Sequence, residues 1–176
     1  MSRSSEVYSD MRFIKSNGKQ LRNELQKFPR YYYNTFSLSR TLVAGLVFNN
    51  TIVAVCGILG MSNYVVIYID EAYRGQGLGK QILKKTISTA KNQGLVFLTT
   101  SMALNNIPSM RLFQKLGFRE IMLLKKVNYA IMMLPLTFTS ELLYAFLRTL
   151  CSTLPETFLG YTIKFLMGIF DRIREL

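Results

Sequence analysis

Apolar and polar positions change period several times along the chain, and each change marks an element. Leu21, Leu25 and Phe28 recur at i, i+4 and i+7 after Ser16-Asn17-Gly18. That spacing predicts a short first helix capped near Ser16 or Asn17 and ended by Pro29. The aromatic stretch Arg30-Tyr31-Tyr32-Tyr33-Asn34 reads as a loop or a second short helix, and its rings could line an acceptor pocket or form an ordinary aromatic cluster. Residues 41–48 and Thr51–Leu59 are apolar, partly β-branched runs on either side of Asn49-Asn50, a hairpin signal. Tyr64–Ile69 is almost uninterrupted, as in a strand covered on both faces.

The period then lengthens. Over residues 77–92, Leu78, Ile82, Leu83, Thr86, Ile87 and Ala90 make one stripe, while Lys80, Lys84, Lys85 and Lys91 fall mostly elsewhere. This predicts an amphipathic helix closed by Gly94. Residues 95–100 read as a strand. Pro108 suits the first turn of a helix running to Leu116, with Gly117 as its cap, and residues 118–127 read as a strand interrupted by charge. The order is mixed α/β, a sheet covered by helices.

Residues 129–176 differ in kind. The runs 131–136 and 142–147 are dense in apolar residues, but Glu141 and Arg148 interrupt them. No stretch reaches the ~18–20 uncharged apolar residues that a spanning helix needs. Leu159, Ile163, Leu166, Phe170 and Ile173 then form a stripe behind Pro155, predicting an amphipathic helix. The expected organisation is an α/β domain over 1–128 and an apolar, amphipathic helical extension over 129–176. The extension is expected to pack on the core, in a homodimer seam or on a membrane surface.

Composition narrows the chemistry. With 176 residues the chain can bury a core unaided. It has no histidine, which excludes histidine triads and histidine metal sites. Cys56 and Cys151 sit in apolar runs without CxxC spacing, which excludes a zinc ribbon or a disulfide framework, and no metal is expected. The net charge of +12 arises wholly within 1–128, because 129–176 carries four residues of each sign. A basic body points to an anionic partner, a phosphorylated cofactor among them. Nucleic-acid binding would rest on charge alone and is not expected. The opening residues lack an apolar signal-peptide core, so the expected location is cytoplasmic, with peripheral membrane contact through the extension as the alternative.

The most informative stretch is Tyr73-Arg74-Gly75-Gln76-Gly77-Leu78-Gly79-Lys80, between the third predicted strand and the lysine-bearing helix. Glycines let a backbone approach a ligand closely, and a helix start offers free N–H groups and a positive dipole end. A phosphate or pyrophosphate is the natural guest. The GxxxxGK[ST] pattern is absent, and the spacing Gly75-x-Gly77-x-Gly79 does not fit a dinucleotide fingerprint. A turn without a ligand is the plain alternative. Downstream stand Asn106, Leu112, Phe113 and Gly117-Phe118. Taken in order, the two segments resemble the GNAT superfamily, the acyl-CoA-dependent N-acyltransferases, over roughly residues 40–125.

The resemblance implies a GNAT-like mixed sheet covered by helices, and an N-acetyltransferase that moves an acetyl group from acetyl-CoA to a primary amine. It implies that backbone groups of Ile67 and Ile69 pair with the pantetheine arm. The pyrophosphate would lie on the N–H groups of Arg74, Gly75, Gln76, Gly77, Leu78, Gly79 and Lys80. Asn106 would bind the cofactor arm, although helix capping alone would also explain an asparagine there. Two departures stand out. Phe113 occupies the position where many members carry a tyrosine that protonates the leaving thiolate. No carboxylate lies between Gly60 and Ile69 to serve as general base; Asp70 and Glu71 follow the strand. Tyr64, Ser62 or water are the candidate relays, and attack by an already neutral amine needs none. A covalent route through Cys56 is disfavoured by its apolar surroundings. The alternative function is a CoA-binding module that acts as a sensor or partner protein.

Overall fold

The computed structural model of the chain describes residues 12–16, 26, 28–30, 43–48, 51–60 and 63–153. These fall into two compact units, Met1–Leu95 and Val96–Leu176. Strands and helices are numbered here in chain order. Residues 17–25, 31–42, Asn49-Asn50, Ser62 and 159–173 lie outside the described residues. The readings made on them from sequence, including the Tyr31-Tyr32-Tyr33 cluster and the final amphipathic helix, therefore have no structural counterpart.

In the first unit, β1 (Arg12–Ser16), β2 (Val43–Phe48), β3 (Thr51–Leu59) and β4 (Tyr64–Ile69) pair in that order, all antiparallel. Ser16 closes β1 opposite Val43. The short polar-flanked run Arg12–Ser16 gives too little period to be seen beforehand. A register shift between Leu46 and Val47 bends β2 against β3. Asp70 starts a 3-10 turn over Glu71–Tyr73, and its carboxylate accepts from the Ala72 N–H at 3.1 Å. Helix α1 (Leu78–Asn92) follows, burying Leu78, Ile82, Leu83, Thr86 and Ala90 of the stripe expected from its period, with Gly79 buried besides and Ile87 only half-buried. Phe28, Val47, Ile52, Val55 and Val66 form a core cluster in this unit, with Leu59, Tyr64 and Tyr68 packed against it.

In the second unit, β5 (Phe97–Ala103) and β6 (Arg119–Leu124) both pair antiparallel with β7 (Tyr129–Pro135), which lies between them. The predicted strands at 95–100 and 118–127 are thus displaced or shortened: β5 begins later, and Lys125–Val127 is a 3-10 turn. The segment read as a helical extension begins with a strand. A central strand with neighbours on both sides carries an apolar run with weak alternation, and Tyr129–Pro135 is such a run. Helix α2 (Ile107–Lys115) has Pro108 in its first turn. It ends where the Phe118 N–H reaches back to the Phe113 carbonyl at 3.1 Å and Gly117 takes a φ of +92°. Helix α3 (Phe138–Thr153) packs Tyr144, Leu147 and Cys151 against Ile121, Met122, Leu124 and Met133. Among the described residues, no helix is long and apolar enough to cross a membrane.

Candidate active site

Antiparallel pairing decides which way each backbone group of β4 points. The Asp70 N–H donates to the Val53 carbonyl at 2.9 Å. Counting back by two along the register puts Tyr68, Val66 and Tyr64 in hydrogen-bonded positions opposite Val55, Gly57 and Leu59. Val65, Ile67 and Ile69 therefore turn their N–H and C=O groups away from β3. The same alternation sets the side chains: Tyr64, Val66 and Tyr68 face the Phe28 cluster, and Cys56 on the other face meets Thr86 of α1.

The glycine turn continues directly from this strand. Gly75 and Gly77 have φ of +77° and +79°, which L side chains rarely adopt, and a Cβ added at either would meet nothing within 4 Å. The glycines are required by backbone conformation, and the space around them is open. Gly77 is the N-cap of α1, with its carbonyl accepting from Lys80 at 3.1 Å and from Gln81 at 3.3 Å. Among the described residues nothing accepts from the N–H groups of Gly75, Gly77, Leu78 and Gly79. Unpaired donors converging on the positive end of a 15-residue helix make a site for an anion. The chain at this turn fits a phosphate-bearing group.

Arg74 braces the turn. Its Nε donates to the Ile69 carbonyl at 3.2 Å, and its guanidinium pairs with Glu71 at 3.2 Å. It also bonds the Tyr68 hydroxyl. Its 6.0 Å distance to the centre of the Tyr68 ring is at the limit of cation–π attraction. Burial, and next the Asp70 carboxylate, push the Tyr68 phenol above its ordinary range, so it stays protonated at neutral pH. Sequence reasoning missed Tyr68, although the period of two in β4 puts it on the same face as the candidate Tyr64. Asp70 is committed to its cap and Glu71 to an exposed ion pair with Arg74. Lys80 is exposed in the first turn of α1.

Burial pushes the Cys56 thiol up to about 12, against a smaller opposing effect of its hydrogen bond to Thr86. A neutral, sealed thiol is no nucleophile. Asn106 and Phe113 belong to the second unit. The Asn106 side chain accepts from the Ser109 N–H at 3.3 Å, the capping contact expected of an asparagine at that position. Phe113 is buried, its ring edge-on to Phe118 with centroids 4.9 Å apart. Ser62 lies outside the described residues. Among the described residues no group of His, Cys, Asp and Glu could hold a metal ion.

Three comparisons extend this geometry. Over 56 residues the chain is 45% identical to a candidate phosphinothricin acetyltransferase, YwnH of Bacillus subtilis (strain 168). That match spans 32% of this chain and only about a third, 34%, of the relative. The fold is similar to an IAA acetyltransferase from Bacillus cereus ATCC 14579, with a TM-score of 0.56 at 17% identity, over 72% of this chain and 99% of that one. It is also similar to yncA, a candidate acetyltransferase from Salmonella typhimurium solved with its cofactor acetyl-CoA (TM-score 0.55, 17% identity, 73% and 95% covered). These likenesses show a GNAT-like α/β fold. The family profile begins earlier than the motifs suggested, running from residue 9 to 118. Matched over more than half its length, the chain belongs to the Acetyltransferase (GNAT) family, transferases whose cosubstrate is acetyl-CoA.

Proposed function

We propose that this protein is an N-acetyltransferase that acetylates a primary amine by direct transfer from acetyl-CoA. The observation that carries the reading is the set of N–H groups of Gly75, Gly77, Leu78 and Gly79 at the start of α1, which have no acceptor among the described residues, in a turn shaped by two glycines of positive φ. Those groups, with Arg74, Gln76 and Lys80 beside them, would hold the pyrophosphate. The outward-turned backbone of Ile67 and Ile69 has the orientation that pairing with an extended ligand arm requires. Asn106 is proposed to contribute from the start of α2 through the polar groups that its capping contact leaves over. Bound acetyl-CoA supplies an activated thioester carbonyl.

What the chain itself must do is bind, orient and dispose of protons. Orientation alone lowers such barriers substantially, so a site without an evident base can still work on an amine that arrives neutral. Tyr68, protonated and held by Arg74, and Tyr64 on the same face are two phenol hydroxyls that this strand carries. Phe113 offers no proton. That absence and the missing strand carboxylate favour a second reading, a CoA-binding sensor or partner module. A panel of primary amines with labelled acetyl-CoA, read by thiol release, separates the two. Turnover above the hydrolysis background with at least one amine supports the enzyme. Tight CoA binding without transfer to any amine supports the module.

A further inference from the structure

Tyr68 stands between Ile67 and Ile69, the two residues of β4 whose backbone groups turn away from β3 beside it. Its half-buried side chain leaves on the face of Phe28, and the two rings lie 4.9 Å apart, tilted by 47°. That contact fixes the ring. A different partner holds the hydroxyl. Arg74 donates from Nε to the Ile69 carbonyl at 3.2 Å, so its guanidinium lies at the outward edge of β4. The same guanidinium bonds the Tyr68 hydroxyl. The phenol oxygen is therefore drawn toward the edge along which an extended ligand arm would pair, and not toward β3. Tyr64 shares the face but stands four residues, ~13 Å, farther from the glycine turn.

Direct transfer leaves one proton to be moved. The amine nitrogen bonds to the thioester carbonyl carbon, the carbon–sulfur bond breaks, and a neutral amine ends with one hydrogen fewer while the sulfur needs one. The Phe113 ring has none to give, and β4 carries no carboxylate to collect it. We propose, resting on the acetyltransferase reading above, that the Tyr68 hydroxyl carries this proton. It gives its hydrogen to the departing sulfur and regains one from the attacking nitrogen. The transient phenolate lies against the Arg74 guanidinium, an opposite charge that stabilises the anion. The reach fits. An arm paired with Ile67 and Ile69 runs one strand spacing, ~4.8 Å, from β4, a distance that an aromatic side chain spans. One phenol thus serves both ends of the transfer, and no carboxylate on the strand is required.

The test compares the parent with Tyr68→Phe, which keeps the ring on Phe28 and removes only the hydroxyl. With an amine found in the panel above, single-turnover transfer should slow by about a hundredfold, within the range of general acid–base catalysis. Acetyl-CoA affinity by calorimetry should stay within about threefold. A second measurement needs no turnover. In protein whose tyrosines carry carbon-13 at Cζ, the signal lost in Tyr68→Phe belongs to Tyr68. It should shift on adding CoA and shift much less on adding desulfo-CoA, which lacks the sulfur. An undiminished rate in the variant, or equal shifts with the two ligands, would overturn the proposal and leave the acetyltransferase reading standing. A fall in affinity above about tenfold would make Tyr68 a binding residue and overturn it too. A parent that transfers to no amine takes both readings down together.

Discussion

Arg74 donates from Nε to the carbonyl of Ile69 at 3.2 Å, tying the cation of the glycine turn to the last residue of the strand that feeds it. The planar fork reaches Ile69, Glu71 and Tyr68 together, which a lysine ammonium on its flexible stem does not reproduce. Arg74→Lys keeps the charge and removes the brace. Acetyl-CoA affinity should fall by about threefold to tenfold, on the order of one hydrogen bond's net worth. Glu71→Gln should change it little, because an exposed ion pair contributes at most about 1 kcal/mol. Calorimetry that finds Arg74→Lys as tight as the parent would remove the bracing role.

Gly77 caps α1 at a φ of +79° with open space where a Cβ would stand. A non-glycine residue there costs ~1–2 kcal/mol of backbone strain, and more for a β-branched one. Gly77→Ala should therefore lower stability modestly. Gly77→Val should abolish measurable acetyl-CoA binding, because the turn must relax away from the geometry that aims its N–H groups. Thermal unfolding and calorimetry together check this. A folded Gly77→Val variant with parental affinity would refute the assignment of the turn.

Much of this was legible in the sequence, and what escaped has physical reasons. The α1 stripe was plain because a helix one side of which is buried repeats its pattern over four turns. The glycine turn was plain because few residues other than glycine take a positive φ. Strand β7 was not, because both its edges are paired and its apolar run lacks the alternation of a half-exposed strand. Strand β1 was too short to show a period. Arg74 was identified by motif, but its bond to Ile69 depends on the 3-10 turn folding the chain back over five residues. The Asn106 cap was readable from residue type alone.

Phe113 is buried and meets Phe118 edge-on, so its ring is a packing element of α2. Phe113→Tyr should leave turnover within a few-fold. A gain above about tenfold, ~1.4 kcal/mol of barrier, would mean that leaving-group protonation limits the natural enzyme. Phe113→Ala should cost ~3–5 kcal/mol of stability, the range for emptying a buried phenylalanine site. Steady-state rates on the first variant and denaturant unfolding of the second are the measurements.

Cys56 is fully buried, and its thiol is pushed from 9.0 up to about 12 by desolvation. Well below pH 9 the folded and unfolded forms are both protonated at this group, and it has no effect on the pH dependence. Between about 9 and 12 the unfolded chain gives up the proton while the folded chain keeps it. Unfolding then releases a proton, so stability falls as pH rises, with a limiting slope of about 1.4 kcal/mol per pH unit from this residue. Lysines and tyrosines titrate in the same window, so the readout is a difference. Cys56→Ala should be less stable than the parent at pH 7.5 because of the cavity, and the gap should narrow steadily toward pH 10.5. In the native protein at pH 8 the residue should also resist a thiol reagent that labels it at once in denaturant. A gap independent of pH, or rapid native labelling of Cys56, would show that the thiol is not sealed between β3 and α1.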